Sequence, residues 1–181
     1  MRVLRVEPTP NPNAIKFIVD RQFADGREFK QKSDAGGDGL ARKLFEIQGI
    51  DTLFFNADYI TVSMKDDADW HAVHDSVSGT ILAHEPEGQA DGRTALGGLV
   101  SGAADDQELM GKIQSILEQR VMPALAADGG GMQLLGLDSK VLSIRYQGAC
   151  GSCPSAMMGT LRAIEDLLRH EVDQELRVVP A

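Results

Sequence analysis

Apolar and polar positions alternate in two registers along this chain, and the register changes mark its elements. Near the start, residues 3–6 (Val-Leu-Arg-Val) and 14–19 (Ala-Ile-Lys-Phe-Ile-Val) carry the β-branched and aromatic residues of strands. A Pro/Asn turn at Pro10-Asn11-Pro12-Asn13 separates them. A Gly/Asp-rich stretch, 33–39, reads as a loop. After it Leu40, Leu44 and Ile47 share a helical stripe that Gly49 closes. Two further strands are expected at 52–55 and 59–64, with Asn56-Ala57-Asp58 turning between them. Asp67 and Asp69 mark the start of a helix whose apolar face is Trp70, Val73, Val77 and Ile81.

Residues 85–104 break the periodicity. The segment is rich in Gly and Ala, with Pro86 and Gly97-Gly98, and is expected to be a flexible interdomain linker. A second unit then opens at Asp105-Asp106, acids suited to a helix N-terminus. Leu109, Ile113, Ile116, Leu117 and Val121 form its stripe, and Pro123 predicts a kink or break. Asp128-Gly129-Gly130-Gly131 ends the helix, strands follow at 132–137 and 140–146, and 137–140 is the hairpin turn. Pro154 starts a last helix with Leu161, Ile164, Leu167 and Leu168 on one face, and 176–179 reads as a final strand. The expected fold is α+β: two small domains, 1–87 and 105–181, joined by a linker at 88–104.

Composition adds limits. The chain has 181 residues, 43% of them hydrophobic and 25% charged, enough for a packed core in each unit. Aromatics are only 5%, so the packing rests on Leu, Ile, Val, Ala and Met. The net charge of −9 and the lack of a Lys/Arg cluster argue against nucleic acid and against an anionic membrane surface. No apolar run approaches the ~20 residues that span a bilayer. The opening residues resemble neither a secretory signal nor an Arg- and Ser-rich transit peptide. The expected location is a bacterial-type cytoplasm, with a trimmed organellar protein as the second option.

The candidate chemistry is one peptide, Cys150-Gly151-Ser152-Cys153-Pro154, which holds both cysteines of the chain. In a reducing compartment CxxC is redox-active or metal-binding. The pair falls between a strand and a helix. The positive end of the helix dipole favours thiolate there, the form that binds iron or zinc. Small neighbours, Gly148, Ala149, Gly151 and Ser152, leave room for an inorganic core and a second chain. By itself the motif is equally compatible with thiol–disulfide exchange, zinc and iron–sulfur. Only one helix and one short strand follow Cys153, whereas a thioredoxin-like fold places most of its sheet after the motif. Iron–sulfur clusters and structural zinc sites take four protein ligands, and one chain supplies two. His170 lies roughly 24 Å along the last helix, too far to complete the set. A homodimer with two cysteines from each protomer is the economical solution.

The residues around this peptide resemble a known family. Gly148-Ala149-Cys150-Gly151-Ser152-Cys153-Pro154-Ser155, with Leu161, Ile164, Glu165 and Leu168 after it and the Asp128-Gly129-Gly130 turn before it, is similar to the Nfu (NifU C-terminal-like) domain. Thr9-Pro10-Asn11-Pro12-Asn13-Ala14-Ile15-Lys16-Phe17, the 40–50 segment, 58–62 and Trp70 resemble the Nfu N-terminal domain. The resemblance implies a non-enzymatic iron–sulfur cluster scaffold or carrier. It implies a [4Fe-4S] cluster shared between two chains, with Cys150 and Cys153 as its ligands. It also implies an upstream scaffold as donor and apo iron–sulfur proteins as recipients. Departures at Gly39, Gly131, Ala156 and Met157 leave the ligands untouched. A thiol–disulfide oxidoreductase and a zinc-bridged dimer are the alternatives. Asp128 is read as a turn residue, His71 and His74 as a solvated helix face, and Met157 and Met158 as packing or interface residues.

Overall fold

Strand β1 (Val3–Pro8) runs antiparallel to β2 (Ala14–Phe29). The connection between them is pinned by its own side chains. The Thr9 hydroxyl is 2.9 Å from the Asn11 carbonyl oxygen and 3.0 Å from that of Ala14, and the Asn13 N–H donates to Asn11 Oδ1 at 3.0 Å. This self-satisfied Asx-type turn is what Pro/Asn spacing encodes. A short 3-10 turn (Lys32–Ala35) and helix α1 (Gly39–Leu44) follow, then strand β3 (Ile50–Met64) and helix α2 (Trp70–Ala83). The sheet order is β1-β2-β3, with β2 central. The computed structural model describes residues 1–65, 69–84, 104–151 and 154–181.

Each helix of this first unit begins on an aspartate. Asp38 accepts from the Ala41 N–H at 3.0 Å, and Asp69 accepts from the His71 N–H at 2.9 Å. Such caps satisfy backbone donors that the helix leaves unpaired. Val73, Val77 and Ile81 are buried against Phe17, Phe55, Ile60 and Val62 of the sheet, the face expected from their spacing. Trp70 closes one edge, its indole N–H donating to the Pro12 carbonyl at 3.2 Å. Asp67 lies outside the described residues.

Three expectations are corrected here. Strand β2 continues to Phe29, ten residues beyond Val19. The expected turn at 56–58 is a bulge inside one long β3: Phe23 faces Ala57, the register shifts on both sides, and Ala57 has φ +45°. A bulge bends a strand without ending it. Helix α1 stops at Leu44 rather than at Gly49, and Gly49, at φ +96°, turns the chain into β3. The loop read at 33–39 holds most of the 3-10 turn, which begins at Lys32, and its last residue, Gly39, opens α1.

In the second unit α3 (Ala104–Arg120) buries Ile113 and Leu117, and α4 (Met122–Ala127) follows after a break at Val121. Pro123 sits in the first turn of α4, where its missing N–H costs nothing. Strands β4 (Gly130–Asp138) and β5 (Val141–Gly148) form the expected hairpin, and Ser139 and Lys140 both take positive φ, +50° and +64°. That pair of left-handed residues matches the twist of the strands it joins. Helix α5 (Pro154–Glu171) carries the chain across so that β6 (Arg177–Pro180) lies parallel to β5 in the order β4-β5-β6. A parallel return needs such a crossover. Ile164 and Leu168 of α5 pack with Leu142, Ile144 and Val178 of the sheet. The Val178 N–H donates to Glu165 Oε2 at 2.9 Å, and Arg169 Nε donates to the Leu176 carbonyl at 2.8 Å. One expectation shifts: Gly130 and Gly131 do not end the helix but begin β4.

The α+β class with two domains is what the structure shows, as two units spanning Met1–Arg93 and Thr94–Ala181. The expected linker lies outside the described residues, except Ala104, which begins α3. No described helix is long and apolar enough to cross a membrane.

Candidate functional site

The end of β5 is built from small residues, and their conformations set the position of Cys150. Gly148 takes φ +64°, a left-handed conformation that residues with a Cβ resist. The strand therefore turns tightly, and the Gly151 N–H donates back to the Gly148 carbonyl at 3.0 Å. The Ala149 N–H donates to the Gly129 carbonyl at 3.3 Å. Gly129, at φ +75°, is the left-handed residue that ends α4. Two glycine turns, one before β4 and one after β5, are thus joined.

Cys150 is 9% exposed and belongs to the core of the second unit. Its side chain occupies the space above Gly130. A Cβ at Gly130 would collide with Cys150 Sγ and lie 2.9 Å from its Cβ, closer than real Cβ contacts come. The bare glycine is the seat of the sulfur. Gly151 is tight as well, because a Cβ there would stand 3.1 Å from the Tyr146 carbonyl oxygen.

Cys153 lies outside the described residues, so the structure places one of the two expected ligands. The other residues weighed in the sequence fall elsewhere. His170 is exposed near the far end of α5, and His71 is exposed on α2. The ring of His74 packs 5.8 Å from that of Phe17. Met158 is 77% exposed. Asp128 is exposed and caps α4 through its own N–H, the turn role read from sequence. Among the described residues no group of three or more His, Cys, Asp or Glu is gathered as a metal site would require.

Two residues that shape the site were not singled out in the sequence. Gly130 was read only as part of the Asp-Gly-Gly turn that ends the helix, not as a neighbour of Cys150. Tyr146 reads as an ordinary strand residue, yet it is 6% exposed, and its hydroxyl is buried with no hydrogen-bond partner among the described residues. Burial, with a smaller contribution from charge at Cys150, pushes its phenol up to about 12. It therefore remains a protonated donor through the neutral range.

Comparison with known proteins bears on both units. The family model described as "Scaffold protein Nfu/NifU N terminal" matches residues 4–88, and the "NifU-like domain" model matches 113–179. NifU-like protein 4, mitochondrial, of Arabidopsis thaliana is 29% identical over 94% of this chain and 63% of its own length. The mitochondrial NFU1 iron-sulfur cluster scaffold homolog of Homo sapiens is 28% identical over 94% of this chain and 68% of its own length. That of Drosophila ananassae is 27% identical over 94% of this chain and 61% of its own length. The chain thus spans somewhat under two thirds of the length of two of these three relatives.

These names overturn the expected bacterial-type cytoplasmic location, since all three are mitochondrial and point to that organelle. The expectation rested on the look of the first few residues. Those residues build β1 and so report on the fold, not on an address. With the two domain models matching in order and together spanning most of the sequence, the chain belongs to the Nfu family of NifU-like proteins.

Proposed function

We propose that the protein is an iron–sulfur cluster carrier rather than an enzyme, holding a [4Fe-4S] cluster between two protomers and handing it to apo-proteins during their maturation. Cys150 and Cys153 of each protomer supply the four thiolates. In this reading residues 105–181 are the cluster-binding domain, 1–87 the N-terminal domain and 88–104 the linker. The observation that carries the reading is the seat of Cys150, whose sulfur is held over a bare glycine between two interlocked turns, just ahead of helix α5. The names of the relatives, iron-sulfur cluster scaffold homologs among them, support it.

The chemistry asked of the chain is modest. The dipole at the start of α5 favours thiolate over thiol at the loop that precedes it. A cluster held by two thiolates from each of two chains sits at an interface, which opens more readily than a closed four-ligand site in one chain. Transfer is then ligand exchange: recipient thiolates replace those of the carrier one at a time, and the oxidation state of the cluster does not change. An upstream scaffold loads the carrier by the same exchange in reverse.

Anaerobic reconstitution with iron and sulfide tests this. The wild-type chain is expected to give a brown, labile species, and Cys150→Ser or Cys153→Ser to abolish it. A colourless product would contradict the reading. Tight zinc that iron and sulfide do not displace would favour a zinc-bridged dimer, and turnover in insulin reduction would favour a thiol–disulfide oxidoreductase.

A further inference from the structure

The hydroxyl of Tyr146 is buried with no hydrogen-bond partner among the described residues, and Tyr146 shares its core with Cys150. A hydroxyl taken out of water without a partner destabilises a protein, so its persistence asks for a reason. Strand register places it. Gly130 pairs with Gly148 and Met132 pairs with Tyr146 in the β4–β5 ladder. Residues two apart on a strand share a face and stand roughly 7 Å apart. Tyr146 is therefore one same-face step from the Gly130–Gly148 pair over which the Cys150 sulfur lies. Both side chains belong to the same core. A phenol is long enough to span such a step.

We propose that Tyr146 is a positioning residue for the cluster: when the cluster is bound, its hydroxyl donates a hydrogen bond to the Cys150 sulfur or to the cluster sulfide beside it, retaining the cargo and raising its reduction potential. This rests on the carrier reading above. Anionic sulfur that is shielded from water is a good acceptor, and hydrogen bonds to the sulfurs help to set cluster potentials. Among the described residues the donor has no partner, and in this proposal the cargo supplies one. Its removal therefore acts in opposite directions on the two states.

Tyr146→Phe tests this, with three readouts on the full chain. Thermal unfolding of the apo variant is expected at or slightly above the wild-type midpoint, because an unpartnered buried hydroxyl is gone. Release of the reconstituted cluster to an iron chelator is expected to be about tenfold faster, the worth of a hydrogen bond to a charged acceptor. The reduction potential of the bound cluster is expected to fall. A folded Phe variant with wild-type release rate and potential would overturn the role of Tyr146 while leaving the carrier reading intact. A wild-type chain that never loads would overturn both. A Phe variant whose apo form is clearly less stable would also count against the proposal, because the hydroxyl would then already be engaged without cargo.

Discussion

At the residue scale the surroundings of Cys150 tolerate little side chain. Gly130 has no room for a methyl group beneath the Cys150 sulfur, and the obstacle is a side chain held in the core. Gly130→Ala is expected to cost about 1–3 kcal/mol of stability through overpacking and to impair cluster loading by displacing Sγ. Gly136 is the control, lying on the same strand with no positive φ and with nothing within 4 Å of where a Cβ would stand. Gly136→Ala is expected to change stability by less than about 1 kcal/mol and to load normally. Denaturant unfolding and the absorbance of reconstituted protein read both effects. If the two variants behaved alike, the seat of Cys150 would not be what positions the sulfur. Cys150 was legible from sequence because CxxC is a local pattern. Gly130 was not, because its constraint comes from a residue twenty positions later that only β pairing brings overhead. Tyr146 was missed for a related reason: a strand pattern says which residues face inward, not which inward hydroxyl lacks a partner.

At the scale of elements, the helices were the most legible parts of the chain. The stripes of Val73, Val77 and Ile81, of Ile113 and Leu117, and of Ile164 and Leu168 are buried as their spacing indicates. The long strands were not. Residues 20–29 are rich in charge, and β2 extends through them because β3 offers a partner, with bulges absorbing the mismatch at Phe23 and Ala57. The hairpin between β4 and β5 also makes a long-range tie. Lys140 at its tip bonds to Glu175 and lies 2.9 Å from Asp173, ahead of β6. The bonds from Lys140 to Glu175 and then Asp173 raise the ammonium's pKa. The Glu175 backbone N–H, and then Lys140, lower that of Asp173.

The signs follow from linkage. The contribution of Lys140 is complete below the usual lysine range and is lost as pH rises through its raised folded value. That of Asp173 is complete above the usual aspartate range and is lost as pH falls through its lowered folded value. Removing the ammonium with Lys140→Met is expected to lower the unfolding midpoint by a small, constant amount at neutral pH, because Glu175 is exposed, Lys140 and Asp173 are only partly buried, and solvent screens all three. The gap between the two proteins should close at both extremes. A gap that stayed the same from acid to alkali would rule out this cluster as its source.

At the scale of the whole molecule, two matched domains stand on one chain, and the second carries both cysteines. The two-domain α+β plan was visible in the change of periodicity on either side of the Gly/Ala-rich segment. The compartment was not visible, because the opening residues are spent on β1 and say nothing of an address. The central proposal, one cluster shared by two protomers, also belongs to the whole molecule, since the chain has two cysteines and such a cluster takes four thiolates. Absorbance and molecular mass of the anaerobically reconstituted protein, taken on one sample, test it most directly. The account predicts that the visible iron–sulfur absorption travels with a species of twice the chain mass carrying one cluster per two chains. A coloured species at the mass of a single chain, or a dimer without iron–sulfur absorption, would contradict it.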